Sequence, residues 1–225
     1  MSLRKQPIFD LPNLMQGTFL SRFNRFVGEI MHEGKVELAH IHDPGRLKEL
    51  LLKGAKILFT HSQGKLKYYI KAVKIENEWI LIDSALHSKI ALEIFNFLPE
   101  FSQIKEIRKE VPFGRSRIDF TLDGVPLEVK GCSLVREGLA LFPDAPTERG
   151  TRHVEEIIRN NGIIFFLILR KAEFFAPNRE TDSKFAKKLT EARDQGIKII
   201  PVQISFDGKT IYYNGKIRLA EFELV

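Results

Sequence analysis

The sequence predicts a two-domain α+β protein, because its pattern of secondary structure changes near residue 85. Before that point, short strand-like runs follow one another with turns at close spacing, whereas beyond it strands alternate with helices. The 225 residues, 44% of them apolar, are enough for one large domain or two small ones. We therefore assign residues 1–84 to a first domain and residues 85–225 to a second.

Five strand-like runs are predicted in the first domain, each bounded by residues typical of turns. They are Thr18–Ile30, Lys35–His40, Lys56–Thr60, Lys67–Ile75 and Trp79–Ile82. A helix is predicted over Gly45–Leu51, with Asp43 as its cap and Pro44 in its first turn. Five short strands with one inserted helix favour a five-stranded β-barrel similar to the OB-fold, a common nucleic-acid-binding architecture.

The second domain is predicted to be a mixed α/β sheet with helices packed on it. A helix over Ser84–Phe97 leads into it, since apolar residues recur there at helical spacing. The predicted strands are Gln103–Pro112, Arg117–Leu122, Val125–Ser133, Ile163–Arg170 and Ile197–Ser205, and the predicted helices are Thr151–Asn160 and Phe185–Gln195.

Composition excludes several classes of protein. The longest apolar run, Ile163–Leu169, is far shorter than the roughly 20 residues of a membrane span, so we expect a soluble, cytoplasmic protein without a membrane partner. Cys132 is the only cysteine, which excludes an internal disulfide and a cysteine-based zinc cluster. The net charge of +6 favours a polyanionic partner, and residues 1–86 contain 13 lysines and arginines against 9 acidic residues.

A β-hairpin is predicted at Asp123-Gly124, because a type I′ turn needs positive φ at both central residues. If Leu122 faces Val125 across this turn, Asp119 lies directly opposite Glu128. Side chains alternate between the two faces of a strand, so the hairpin has one apolar and one charged face. The apolar face is Ile118, Phe120, Leu122, Val125, Leu127 and Val129, and the charged face is Arg117, Asp119, Glu128 and Lys130.

Two carboxylates facing each other across a hairpin stand about 5 Å apart at Cβ and repel each other unless a cation lies between them. Oxygen ligands suit Mg²⁺ or Mn²⁺, so Asp119 and Glu128 are the predicted metal ligands. Lys130 is then placed to position or deprotonate an attacking water, and Arg117 to bind a phosphate. The alternative is a pair of solvated acids balanced by Arg117 and Lys130 on an exposed sheet face.

A second group of candidates opens a predicted helix. Arg149 and His153 are four residues apart and therefore share a helix face, beside Glu148 and a loop rich in charge and proline. They are predicted to clamp a phosphate beside the metal, because arginine can bind phosphate with two N–H groups. The alternative is a structural ion pair between Glu148 and Arg149.

The first domain mixes basic and aromatic residues in the way that single-stranded nucleic acid requires. The predicted DNA-binding cations are Arg22, Arg25, Arg46 and Lys48, with Lys65, Lys67, Lys71 and Lys74 nearby in sequence, and the interleaved aromatic residues are Phe23, Phe26, Tyr68 and Tyr69. A solvated basic barrel with core aromatic residues is the alternative. His40 and His42 are interpreted as barrel histidines, since no third metal ligand follows in sequence.

Two sets of motifs give the chain a family resemblance. Asp119 followed by Glu128-Val129-Lys130 matches the short signature of the PD-(D/E)xK nucleases. The surrounding sequence segments resemble the sugar fermentation stimulation protein A family, as do residues 22–26 and 42–48 of the first half. The surrounding segments are Glu110-Val111, Gly114–Phe120, Glu128–Lys130, Phe142–Gly150 and His153. Gly131-Cys132 and Asp43-Pro44-Gly45 depart from the pattern of bacterial members.

The resemblance implies an N-terminal OB-like domain, a C-terminal PD-(D/E)xK nuclease-like domain and DNA as the ligand, bound largely without regard to sequence. It also implies that Glu110 is a third catalytic carboxylate, against the alternative of an ordinary edge-strand glutamate. We expect a Mg²⁺-dependent DNA endonuclease or exonuclease, with dimers common among such nucleases. Two alternatives remain: a non-enzymatic DNA-binding regulator of sugar-utilisation genes on a nuclease scaffold, and an RNA-processing nuclease.

Overall fold

The computed structural model describes residues 5–43, 45–113 and 116–222, which form two units. The first contains the described residues up to Leu86 together with Ile204–Asn214, and the second contains the remainder. Ile204–Asn214, which the predicted second domain 85–225 includes, lies in the first unit by its contacts. This segment belongs to the first unit because its strands pair there, Phe206 with Trp79 and residue 211 with residue 9.

Among the described residues, seven strands precede the first helix. They are β1 (Gln6–Asp10), β2 (Met15–Asn24), β3 (Val27–His32), β4 (Lys35–Ile41), β5 (Lys56–His61), β6 (Tyr68–Ile75) and β7 (Glu78–Leu81). Five of them, β2 to β6, close into a barrel, because β4 pairs in parallel with β6 while the other neighbours are antiparallel. The predicted five-stranded, OB-like barrel is therefore confirmed. Its interior is filled by Phe19, Ile30, Ile41, Phe59 and Ile70, all buried.

The strand bounds differ from prediction at two places. The run Thr18–Ile30 is two strands rather than one, since the Asn24 side chain accepts a hydrogen bond from the Phe26 N–H at 2.8 Å and turns the chain there. The predicted strand Trp79–Ile82 corresponds to β7, which pairs with β6 outside the barrel. The barrel thus has five strands, but not the five that the sequence pattern delimits.

The predicted helix over Gly45–Leu51 is wrong. Leu47 has a φ of +49°, which a right-handed helix does not allow, and its carbonyl accepts from the N–H groups of both Leu50 and Leu51 in a single turn. The Asp43 side chain accepts from the Gly45 N–H at 2.8 Å, so it shapes a loop rather than capping a helix. Pro44 lies outside the described residues.

A short 3₁₀ turn, Ser84–Leu86, ends the first stretch of the first unit, and the second unit begins with α1 (His87–Phe95), so the predicted helix Ser84–Phe97 is shorter than expected. The elements that follow are β8 (Ile107–Phe113), β9 (Ser116–Leu122), β10 (Val125–Cys132), β11 (Val135–Arg136), β12 (Leu139–Phe142), α2 (Glu148–Arg159), β13 (Ile163–Ile168), β14 (Phe174–Pro177), α3 (Ser183–Asp194), β15 (Lys198–Phe206), β16 (Thr210–Lys216) and β17 (Arg218–Leu219).

The second unit has the predicted mixed sheet. Strands β8, β9 and β10 are antiparallel, and β10, β13 and β15 are parallel, in the order β8-β9-β10-β13-β15. Helices α1 and α2 pack against β10 and β13, and β13 is buried along its whole length. The sequence pattern missed a small second sheet, β11-β12-β14-β17, because its strands are only two to four residues long.

Candidate functional site

The hairpin that carries the predicted carboxylates has the expected register. Asp123 and Gly124 have φ values of +48° and +84°, and Leu122 pairs with Val125. The ladder runs for three residue pairs and ends where Phe120 pairs with Leu127. Beyond that pair, the two strands are joined by a side chain instead of by backbone hydrogen bonds.

That side chain is Asp119. Its Oδ2 accepts a hydrogen bond from the Val129 N–H at 2.7 Å, and its Oδ1 accepts from the Ser88 hydroxyl, at the start of α1, at 3.3 Å. The register alone predicted that Asp119 and Glu128 form the next pair of the ladder. In the structure they do not pair in this way. Asp119 is held beside the Glu128-Val129 backbone by two neighbouring elements, so the two carboxylates still belong to one cluster.

Glu128 is the centre of a buried polar network. Only 4% of the residue is exposed, and its Oε1 accepts hydrogen bonds from the Lys130 ammonium and from His153. The Arg149 Nε lies 3.4 Å from the other ring nitrogen of His153. This geometry fits a neutral His153 that accepts from Arg149 at Nε2 and donates to Glu128 at Nδ1. The second oxygen of Glu128, Oε2, is buried without a hydrogen-bond partner among the described residues.

The two carboxylates have opposite pKa shifts. Burial, reinforced by the neighbouring charge of Glu128, raises the pKa of Asp119 to about 6, although the Val129 N–H and Lys130 oppose the rise. Burial also raises the pKa of Glu128, but Lys130 and His153 outweigh it, so the pKa of that carboxyl lies below its ordinary value. In neutral solution Glu128 is an anion with two donors, whereas ionised Asp119 is less well compensated.

Two further charged candidates lie on the neighbouring strands β8 and β9. Glu110, on β8, and Arg117, on β9, are exposed, and their charged groups are 3.9 Å apart. The charge of Glu110 contributes weakly to the raised pKa of Asp119. Its role as a third catalytic carboxylate, and that of Arg117 in DNA binding, remain predictions.

The start of α2 differs from the prediction. The helix begins at Glu148, three residues early, because the Thr147 hydroxyl accepts from the Gly150 N–H at 3.0 Å. Arg149 and His153 share one face, as predicted. However, His153 is only 3% exposed and bonded to Glu128, so it positions that carboxylate rather than binding a phosphate directly. Arg149 and Glu148 are exposed.

The sequence pattern missed His87 and Ser88 at the start of α1. The ring of His87 lies against Gly131, the residue after Lys130: a Cβ at position 131 would come within 2.1–2.8 Å of His87 ring atoms. The glycine therefore allows α1 to approach the strand that carries Glu128 and Lys130. The unusual Gly131 could have indicated this close approach, but nothing near it in sequence indicates which residue approaches.

Gly131→Ala is expected to lower the free energy of unfolding by about 1–3 kcal/mol, because the new methyl group overlaps the His87 ring. The double variant Gly131→Ala/His87→Ala should recover most of the loss, since the overlapping ring is gone. Chemical denaturation of both variants and of His87→Ala alone measures the coupling. Equal losses in the single and double Gly131 variants would contradict the close packing.

Among the four predicted DNA-binding cations of the barrel, Arg22 has a structural role. Its guanidinium donates to the backbone carbonyls of Arg46 at 2.6 Å, Arg25 at 2.7 Å, Gly45 at 3.0 Å and Asp43 at 3.3 Å. These bonds join the turn after β2 to the loop after β4. The other three cations, Arg25, Arg46 and Lys48, are exposed.

We expect Arg22→Ala to destabilise the first unit by about 2–4 kcal/mol, because several carbonyls lose a charged donor at once. Arg22→Lys should restore little, since an ammonium cannot reach carbonyls in two segments as a planar guanidinium does. Arg25→Ala is the control of equal charge and should change thermal unfolding little. Equal melting temperatures for Arg22→Ala and Arg25→Ala would refute the structural role.

Several other basic and aromatic residues of the barrel bond or pack within the protein. Asp83 is fully buried, with the Tyr69 hydroxyl bonded to one carboxylate oxygen and the Lys71 ammonium 2.6 Å from the other. Burial and the bond to Asp83 raise the pKa of Tyr69. Tyr68 is only 4% exposed. These side chains build the barrel, so the exposed aromatic surface is smaller than the sequence pattern indicated.

No group of three or more histidine, cysteine or acidic side chains suited to a metal occurs in the described part of the chain. In the site described above, Asp119 and Glu128 are the carboxylates that could hold a metal, with backbone, water or substrate oxygens as further ligands. None of the helices in residues 5–43, 45–113 and 116–222 is long and apolar enough to cross a membrane.

Comparison with known proteins gives consistent matches over both units. The family model of the sugar fermentation stimulation protein RE domain matches residues 85–210, and that of the SfsA N-terminal OB domain matches residues 20–82. Sugar fermentation stimulation protein homologs from Methanothermobacter thermautotrophicus and Thermosipho melanesiensis are 40% and 39% identical. The first alignment covers 88% of each chain, and the second covers 94% of this chain and 97% of the relative.

A solved structure is also similar. It is that of Pyrococcus furiosus SfsA in complex with Ca²⁺, with a TM-score of 0.88 and 28% sequence identity. The match covers 96% of this chain and all of the other.

Proposed function

The chain belongs to the sugar fermentation stimulation protein family, and from that premise we propose that it binds DNA and hydrolyses it at a metal-dependent site in its second unit. Family membership and the OB and RE domains support the DNA-binding role. The positive net charge and the exposed Arg25, Arg46 and Lys48 support contacts with phosphates, which need no particular base sequence.

The observation that carries the nuclease proposal is the Oε2 atom of Glu128. A buried carboxylate oxygen without a donor is costly, and a cation bound there would remove that cost. Asp119 supplies a second carboxylate whose raised pKa reflects incomplete compensation by the protein. Two carboxylates with water and phosphate oxygens form an ordinary ligand set for Mg²⁺ or Mn²⁺. The structure of the Pyrococcus furiosus relative contains Ca²⁺, which supports the proposal that the present chain also binds a divalent cation.

The chain's own residues then have distinct roles. A bound Mg²⁺ would supply Lewis-acid polarisation of the scissile phosphate. Lys130 positions the attacking water by donating a hydrogen bond to it, since its ammonium lies at the carboxylate that would hold the metal. His153 fixes the Glu128 carboxylate through a hydrogen bond, and the exposed Arg149 binds a phosphate oxygen with its terminal N–H groups.

One observation favours a second candidate function. Lys130 and His153 already bond to one oxygen of Glu128, so the protein itself balances part of this carboxylate's charge without a metal. The chain would then be a DNA-binding regulator that keeps the nuclease scaffold without turnover. Such a protein would bind DNA in a salt-dependent way and leave it intact with every metal.

A single series of gels separates these functions. Labelled single-stranded, duplex and branched DNA, and RNA of the same sequence, are incubated with the purified protein in EDTA, Mg²⁺ or Mn²⁺. The nuclease proposal predicts cleavage of DNA with the metals and none in EDTA. Shifted but intact DNA in every lane would support the regulator, and preferential cleavage of RNA would support an RNA-processing enzyme.

A further inference from the structure

Two large aromatic side chains are exposed at one tip of the barrel. Phe23, near the end of β2, is 75% exposed, and Phe26, in the turn before β3, is 49% exposed. Single exposed apolar residues are common on proteins, but two phenylalanine rings within four residues form a local apolar patch. We call Phe23 and Phe26 the turn phenylalanines.

The backbone that carries these rings is held firmly. The Phe26 N–H donates to the Asn24 side chain at 2.8 Å, and the Phe26 carbonyl accepts from the Ile41 N–H of β4 at 2.9 Å. The Arg25 carbonyl accepts from the Arg22 guanidinium at 2.7 Å. A ring presented on fixed backbone loses little additional conformational entropy when a ligand packs on it.

Exposed cations lie on the same two segments. Arg25 is in the turn itself, and Arg46 and Lys48 are in the loop that Arg22 joins to the turn. The acidic residues of that loop, Asp43 and Glu49, are half-buried, and Asp43 accepts the Gly45 N–H. The exposed charge around the turn phenylalanines is therefore positive, which is complementary to a phosphate backbone.

We propose that the turn phenylalanines stack on unpaired bases, so that the barrel selects single-stranded DNA over duplex DNA. The inference rests on the proposed DNA-binding function and adds the form of DNA that is bound. Aromatic faces beside cations provide stacking for bases and contacts for phosphates along a single strand. The bases of a duplex are already stacked and paired, so they offer their faces to the protein only after unstacking.

Fluorescence anisotropy tests the proposal with labelled single-stranded DNA and the duplex of the same sequence, in EDTA so that no cleavage occurs. Phe23→Ala and Phe26→Ala should each weaken single-strand binding about 5-fold or more, and duplex binding less than about 2-fold. Phe23→Trp should keep the single-strand affinity, because the larger ring still stacks. Val36→Ala, which removes a 56% exposed apolar side chain from β4, is the matched control and should change neither.

Three results would overturn the inference, and they differ in what they say about the proposed function. If the wild type binds DNA but the phenylalanine variants bind it equally well, stacking on the turn phenylalanines is refuted, whereas DNA binding is not. Equal losses of single-strand and duplex affinity would also leave DNA binding intact but remove the selectivity. If the wild type binds neither form of DNA, both the inference and the proposed function fail.

Discussion

Lys130→Ala is expected to reduce metal-dependent DNA cleavage by about 10²- to 10⁴-fold, the usual contribution of a group that acts on the attacking water, here by positioning it. DNA affinity should fall less than about 2-fold, since one charge contributes little to binding that many phosphate contacts share. Cleavage rate and affinity are measured on the same DNA, the first with Mg²⁺ and the second in EDTA.

The controls separate chemistry from folding. Lys109→Ala removes an equal charge from an exposed position on β8, and its cleavage rate should stay close to that of the wild type. Because Lys130 compensates the buried Glu128, its removal also costs stability, so the assay is run well below the melting temperature of the variant. Unchanged cleavage by a folded Lys130→Ala protein would refute the assigned mechanism.

Asp119→Asn is expected to abolish stabilisation of the protein by metal while making the metal-free protein more stable above pH 6. The pKa of Asp119 is raised from 3.8 to about 6 in the folded protein, so the folded state holds this proton more tightly than the unfolded state. The free energy of unfolding of the metal-free wild type therefore falls as pH rises from about 4 to about 6, by on the order of 2–3 kcal/mol. The amide cannot ionise and avoids this loss.

A bound cation should reverse that loss, because it interacts with the ionised carboxylate. Thermal unfolding of the wild type should thus show a rise in melting temperature with Mg²⁺ or Mn²⁺ above pH 6 that disappears near pH 4. Asp119→Asn should show no rise at either pH, and Asp123→Asn, an acidic residue of the hairpin turn, is the matched control. A metal-induced rise that persists in Asp119→Asn would place the cation elsewhere.

Local chemistry explains why much of the second unit could be predicted. Asp123-Gly124 requires a particular turn, and that turn fixes the register that places Asp119 near Glu128 and Lys130. The uniform apolar character of β13 likewise identifies a strand buried on both faces. In both cases a few adjacent residues contain the whole signal.

The failures have a common physical cause, which is contact between segments distant in sequence. The helical spacing of Gly45–Leu51 is overridden by a loop whose carbonyls bond to Arg22, more than 20 residues earlier. The sequence pattern predicts His153 as a phosphate ligand, whereas in the structure its ring is bonded to Glu128, 25 residues away. The sequence pattern predicted that Arg22 and His153 contact DNA, and in the structure both side chains form hydrogen bonds within the protein.

The central claim is that Asp119 and Glu128 hold a divalent cation. Anomalous diffraction from crystals grown with Mn²⁺ tests it directly, since the anomalous signal locates the ion independently of the protein atoms. The account predicts a peak within coordination distance, about 2.0–2.3 Å, of an Asp119 carboxylate oxygen and of Glu128 Oε2. A well-ordered site with no peak there, or with the ion bound only elsewhere, would contradict it.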